Sequence, residues 1–250
     1  MDQNPSYIQN QGGYTSSYGS GKTDLTVVLD LDECLIHSEF LNGGSGSQYA
    51  SQVAGASSSP GNFGNSFGVT LTDGEQVRVY ERPFLREFLR QVAQKYEVHL
   101  FTASNQVYAK PIVRELDPDG TIFTNCWYRD SCVYDQSKDE YVKDLTRVLG
   151  SDKLRRTVLI DNNPSSFLPN PDNGVLVSAY QGGDRDNELQ RVLGLLKELE
   201  RAEDVRTVLQ SRSGTNGYRP PTTTSASTTN TRTPSSSDNY FDPSASKAYG

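Results

Sequence analysis

The sequence predicts an α/β fold: a mostly parallel sheet flanked by helices, with an inserted antiparallel β-hairpin. Three observations predict it. Short apolar, β-branched runs at 25–30, 97–101, 157–160 and 175–177 alternate with segments of helical period. An Asp73-Gly74 pair sits between two alternating runs, the signature of a tight hairpin turn. Three of the apolar runs end in polar side chains, which is where parallel strands of an open sheet deliver groups to a ligand.

The elements follow in order. Residues 25–30 form the first strand, running into Asp30. After His37-Ser38 a Gly/Ser/Ala/Asn-rich stretch, about 42–66, is too long for a tight turn and reads as a surface insertion. Residues 69–80 make the hairpin. Pro83 opens a helix that carries Phe84, Leu85, Phe88, Leu89 and Val92 on one face. A strand over 97–101 ends in Thr102, and a helix over 105–116 stops before Asp117-Pro-Asp-Gly120. Short strands are expected at 121–124 and 126–129, then a hairpin over 131–142 and a short helix around Leu145, Val148 and Leu149. The strand over 157–160 ends in Asp161-Asn162. A last strand at 175–177 precedes an amphipathic helix over 189–199, which 204–211 extends.

Composition narrows the class. Residues 1–22 and 213–250 are polar and poor in aliphatic side chains, so both are expected to be disordered tails around one domain at 23–212. The net charge of −7, with no Lys/Arg block, argues against direct nucleic-acid binding. No apolar run is long enough to span a bilayer, and no signal peptide is expected at the N-terminus. Three cysteines without Cys-x-x-Cys spacing and two histidines do not make a zinc site. They fit a reducing intracellular compartment, with nucleus and cytoplasm both open in the absence of a basic cluster, and a monomer is the default expectation.

Asp30 and Asp32 at the end of the first strand are the most informative pair. Alone they are equally readable as turn formers or helix caps. Thr102, Lys143 and Asp161-Asn162 stand at later element ends, and parallel neighbouring strands would bring them all to one sheet edge. Thr102 taken alone could cap a helix, and Lys143 could be a solvated lysine. Together, hard oxygen ligands suit Mg²⁺, a lysine and a hydroxyl suit a phosphoryl group, and a carboxylate can accept one as a nucleophile.

Five ordered motifs, Asp30-Leu-Asp32-Glu-Cys-Leu35, Phe101-Thr-Ala-Ser104, Arg129-Asp-Ser-Cys132, Tyr141-Val-Lys143-Asp144 and Ile160-Asp-Asn-Asn-Pro164, resemble those of the haloacid-dehalogenase-superfamily phosphatases. More narrowly they resemble the small, Fcp1-like phosphatases of the RNA polymerase II C-terminal domain. The resemblance covers about residues 24–210. It implies the haloacid-dehalogenase-like Rossmannoid sheet and a two-step reaction. Asp30 becomes the nucleophile that forms an aspartyl-phosphate, and Asp32 the general acid and base. Thr102, Ser104, Lys143, Arg129 and Tyr108 are implied in binding phosphate or substrate. Asp30, the Asp32 carbonyl, Asp161 and Asn162 are implied in holding Mg²⁺. The implied partner is a phosphoserine or phosphothreonine protein, the polymerase tail among the candidates. A related enzyme for another phosphoprotein or a small phosphate ester, or a non-catalytic phosphopeptide-binding scaffold, are the alternatives; the intact aspartates disfavour the scaffold.

Two departures from the family pattern stand out. Cys34 occupies a position where Thr is usual and is expected to pack or bond the loop. Asn105 replaces an aliphatic residue near the place where the small phosphatases hold a substrate proline, which weakens the apolar pocket. His37 and His99 read as structural.

Overall fold

The computed structural model describes residues 21–41 and 64–213. Both expected tails, apart from their residues nearest the domain, lie outside these, as does all of the expected insertion but 64–66.

The frame is a five-stranded sheet in which every pairing is parallel. Strand β1 (Thr26–Leu29) lies at its centre, between β5 (Glu97–Phe101) and β9 (Thr157–Asp161). β6 (Asn125–Trp127) flanks β5 and β10 (Gly174–Leu176) flanks β9. All four residues of β1 are buried, as a central parallel strand covered on both faces requires. The chain runs from β1 to one side through β5 and β6, then returns to the other side at β9. β1 and β9 therefore border the topological switch point, and a crevice opens beyond their carboxyl ends.

The antiparallel part is larger than the expected hairpin. β3 (Ser66–Thr70) and β4 (Gln76–Glu81) pair around Gly74, whose φ of 87° suits a glycine. A third strand, β2 (Ile36–Phe40), pairs along the other edge of β4. Its polar His37-Ser38 pair hid it in the sequence, yet both are buried.

Helix α1 (Leu85–Lys95) buries Leu85, Phe88, Leu89 and Val92, each worth roughly 1.5–3 kcal/mol on full burial. It begins beyond Phe84, which is not its first turn but sits in the left-handed region with φ 72°. The Leu85 amide meanwhile bonds the Arg82 carbonyl at 3.0 Å. α2 (Gln106–Leu116) is capped by Asn105, whose side chain accepts from the Tyr108 amide. This gives Asn105 a local reason to be polar.

The strand expected at 121–124 does not form. The Asp117 carboxylate accepts from the amides of Thr121, Ile122 and Phe123, taking the donors a ladder needs. β6 stops at Trp127, and Arg129 opens a single 3₁₀ turn instead of ending a strand. The second hairpin forms as β7 (Val133–Asp135) and β8 (Glu140–Val142), followed by α3 (Leu145–Leu149) with Asp144 as cap.

α4 (Glu188–Leu199) and α5 (Val205–Ser213) are separate helices, not one extended helix. The Arg156 guanidinium explains the break, since it binds the carbonyls of Leu199, Glu200 and Ala202 at the end of α4.

Candidate functional site

Three strand ends supply the site. Asp30 follows β1, Thr102 follows β5, and Asp161 closes β9. The Asp30 amide bonds the Ile160 carbonyl at 3.0 Å, so the first and last of these strands stay in step at the point of use. The fourth contribution comes from outside the main sheet: β8 delivers Lys143, whose amide is tied to the Ser166 carbonyl at 3.2 Å.

Lys143 is buried and its ammonium bridges two buried carboxylates, Asp30 Oδ1 at 2.5 Å and Asp161 Oδ2 at 2.6 Å. The buried ammonium is paired with both carboxyl groups, as a buried charge requires. Burial and the neighbouring Asp161 push the Asp30 carboxyl up, to about 8, against the pull of Lys143. The Lys143 ammonium is held above its ordinary range: burial lowers it, and the two carboxylates more than reverse that.

Asp32 sits in a different environment. Tyr108 donates its hydroxyl to Oδ1 at 2.5 Å and Ser104 donates to Oδ2 at 2.7 Å. Burial raises the Asp32 carboxyl while these two hydrogen bonds pull it down. Thr102 accepts the Ser104 amide at 3.0 Å, so the Thr-Ala-Ser turn is internally braced.

The cleft between these groups is lined by Asp30, Asp32, Thr102, Ser104, Arg129, Lys143, Asp161 and Asn162, all anticipated from the sequence, and also by Glu33 and Tyr141. Tyr141 was not anticipated. It stands two residues before Lys143 in β8, and strand alternation puts the two on one face. The Arg129 guanidinium lies 5.0 Å from the centre of the Tyr141 ring, with Nε anchored to the Ala103 carbonyl at 2.7 Å. Tyr108 is placed differently from the expectation of a substrate contact. It is 1% exposed, absent from the cleft wall, and packed behind Asp32.

The donor set fits a hard divalent cation. The Asn162 amide lies 3.2 Å from both the Asp32 carbonyl oxygen and Asp30 Oδ2. With its nitrogen turned to them it donates to both. With its oxygen turned to them, three oxygens converge where a cation can sit, beside the Asp161 carboxylate. Among the described residues no three His, Cys, Asp or Glu side chains gather as a metal site. A cation here would depend on the mixed carboxylate, carbonyl and amide set.

Cys34 is fully buried, with its thiol 3.7 Å from the Ile160 carbonyl. Burial, then Asp30 and Asp161, push the thiol far up, so it is a packing group and not a nucleophile. The turn it belongs to is held from behind. Glu33 adopts φ 56°, with its carbonyl bonded to the Tyr180 amide at 2.7 Å. The buried Arg82 donates to the Cys34 carbonyl at 2.9 Å and to both Asp186 oxygens. The sequence offered no sign of Arg82, because its partners Cys34 and Asp186 lie 48 and 104 residues away. His99 stacks on Trp127 at 4.7 Å and takes no part in the cleft.

The raised Asp30 carboxyl has a stability consequence. Its folded value, about 8, stands above the unfolded 3.8, so the folded chain holds the extra proton between them. Stability attributable to Asp30 then falls as pH rises across that window. In chelator-treated buffer, Asp30→Asn should melt at a higher temperature than the parent, by a margin that widens from pH 5 to pH 8. A margin that stays constant with pH would refute this.

A parallel sheet of this order, with Asp-x-Asp leaving its central strand at the switch point, defines the haloacid-dehalogenase class of fold. Within that class the chain belongs to the NLI interacting factor-like phosphatase family, whose model matches residues 25–206. It is 38% identical over 186 residues to a probable C-terminal domain small phosphatase of Dictyostelium discoideum, covering 74% of this chain and 53% of that protein. It is also 38% identical over 193 residues to the human carboxy-terminal domain RNA polymerase II polypeptide A small phosphatase 1, covering 76% and 65%. The chain thus spans between half and two thirds of the length of these relatives. Its fold is similar to that of Fcp1, an essential RNA polymerase II CTD phosphatase, with a TM-score of 0.52 and 21% identity over 77% of this chain and 66% of that one. Among the described residues no helix is long and apolar enough to cross a membrane.

Proposed function

We propose that the chain hydrolyses phosphoserine and phosphothreonine monoesters of proteins through an aspartyl-phosphate on Asp30. The observation that carries this is the buried Asp30–Lys143–Asp161 bridge on the floor of the cleft. A carboxylate faces the place where a phosphoryl group arrives, next to a fixed positive charge.

Asp30 attacks phosphorus and the bond to the serine oxygen breaks. The proton on Asp32 passes to that oxygen as it leaves. Asp32 then takes a proton from the water that attacks the aspartyl-phosphate, which frees phosphate and restores both carboxyls. Lys143 neutralises charge on the transferring oxygens and on Asp30. Thr102 orients the group through its hydroxyl, Ser104 acts through its hold on Asp32 Oδ2, and Arg129, resting over Tyr141, binds phosphate or peptide backbone. Asp30, the Asp32 carbonyl, Asp161 and Asn162 would hold Mg²⁺. When bound, the cation supplies charge that keeps Asp30 ionised and lets it approach an anionic ester.

The relatives named for RNA polymerase II support the phosphorylated polymerase tail as a substrate. Purified protein should hydrolyse para-nitrophenyl phosphate with Mg²⁺ and stop with chelator. Mg²⁺ at about 100 times its Kd should also stabilise the fold by about 2.7 kcal/mol, read as a rise in melting temperature. Unchanged melting together with chelator-resistant activity would refute the metal assignment. A phosphopeptide panel that includes polymerase-tail repeats tests the substrate, and no preference for Ser-Pro peptides would favour another phosphoprotein.

A further inference from the structure

Asp32 is held at both oxygens, and the two holders differ. Ser104, on Oδ2, belongs to the cleft wall. Tyr108, on Oδ1, is buried in α2 and is not itself among the residues that line the cleft. Its hydroxyl has one proton, which goes to Asp32. Its oxygen is in turn 2.7 Å from the Ser38 hydroxyl, which acts as donor. Ser38 is itself buried, in β2 of the antiparallel sheet. The Tyr108 ring is stacked 6.0 Å from Phe40 of the same strand, so the hydroxyl has little freedom to leave. The relay Ser38 to Tyr108 to Asp32 thus joins the second aspartate to two elements outside the main sheet.

We infer that Tyr108, backed by Ser38, is a positioning residue that fixes Asp32 Oδ1 in the interior and so makes Oδ2 the oxygen that exchanges the proton with the leaving group. This rests on the acid role proposed for Asp32. The proton on Oδ2 moves to the ester oxygen as the bond from phosphorus to that oxygen breaks and the bond to Asp30 forms. Without the Tyr108 hydroxyl the carboxyl can rotate, and the fraction of encounters with a proton in line falls.

The test uses a series of substituted phenyl phosphates that differ in leaving-group acidity and carry no peptide. A good leaving group needs little protonation, and a poor one depends on it. The readout is kcat/KM, which reports only the steps through release of the phenol. In Tyr108→Phe, the fall from the best to the poorest leaving group should steepen by about tenfold relative to the parent. Ser38→Ala should steepen it in the same direction by less, and Asp32→Asn by more. Parallel losses across the series in Tyr108→Phe would overturn the inference in favour of a merely structural tyrosine. So would an unchanged series with a raised KM for a phosphoserine peptide, which would make Tyr108 a substrate contact. An unsteepened series in Asp32→Asn would overturn the acid role itself. Steepening in Asp32→Asn without steepening in Tyr108→Phe or Ser38→Ala would overturn the relay alone.

Discussion

Asp30→Asn should lose turnover by on the order of 10⁴ or more, because no other group in the cleft can replace a nucleophile seated at the end of β1. The neighbouring Asp161 is already engaged by Lys143 and by the Asn163 amide at 2.8 Å. Cys34 is buried with its thiol held neutral. Acid-quenched enzyme incubated with ³²P-labelled para-nitrophenyl phosphate, whose leaving group needs little protonation, separates the two aspartates. The parent should carry transient label, Asp30→Asn none, and Asp32→Asn label that persists because water attack lacks its base. Full activity in Asp30→Asn would remove the nucleophile assignment, and absence of label in every protein would remove the covalent intermediate.

The second large effect concerns Lys143→Met, which keeps the bulk and removes the charge. Activity should drop by about 10²–10³, the usual cost of losing a preorganised charge at a reacting oxygen. The fold should suffer as well. Asp30 and Asp161 would face each other without a cation between them, and breaking a buried pair costs about 3–5 kcal/mol. The loss has a direction in pH. Lys143 pulls the Asp30 carboxyl down, so without it that carboxyl rises further above its unfolded value, and the variant keeps most of its stability at pH 5 and loses it toward pH 8. Urea unfolding at the two pH values measures this. Lys143→Arg should not restore activity, because the guanidinium is larger and planar where the present ammonium makes 2.5 and 2.6 Å contacts to two different elements. A pH-independent stability loss in Lys143→Met would disprove the charge argument.

The parallel frame was legible where its strands are buried on both faces and so read as largely apolar runs, as the central Thr26–Leu29 and its neighbour Thr157–Asp161 do. Lys143 and Asp161 were legible only as members of an ordered set, since neither residue type is diagnostic by itself. What escaped notice depends on partners far along the chain. β2 carries a buried histidine and serine that look like a loop until β4 pairs with them. The 121–124 segment has strand-like residues, but one carboxylate four to six positions earlier captures its amides. Tyr108 was identifiable as important, yet its direction was not. Only packing decides whether an aromatic at the start of a helix turns outward to a ligand or inward to an acid.

The central place of β1 carries a further consequence. Asp30 pairs with a lysine 113 residues later, and its own strand is flanked by one that closes only at Asp161. During synthesis the nucleophile emerges early, and the chain must wait for more than a hundred further residues before the cation and the second carboxylate reach it. Until then an acidic turn has nothing to neutralise it, and β1 has an open hydrogen-bonding edge. Competence for chemistry and completion of the sheet therefore arrive in the same late event, so a nascent or truncated chain that lacks β9 has no partly working centre.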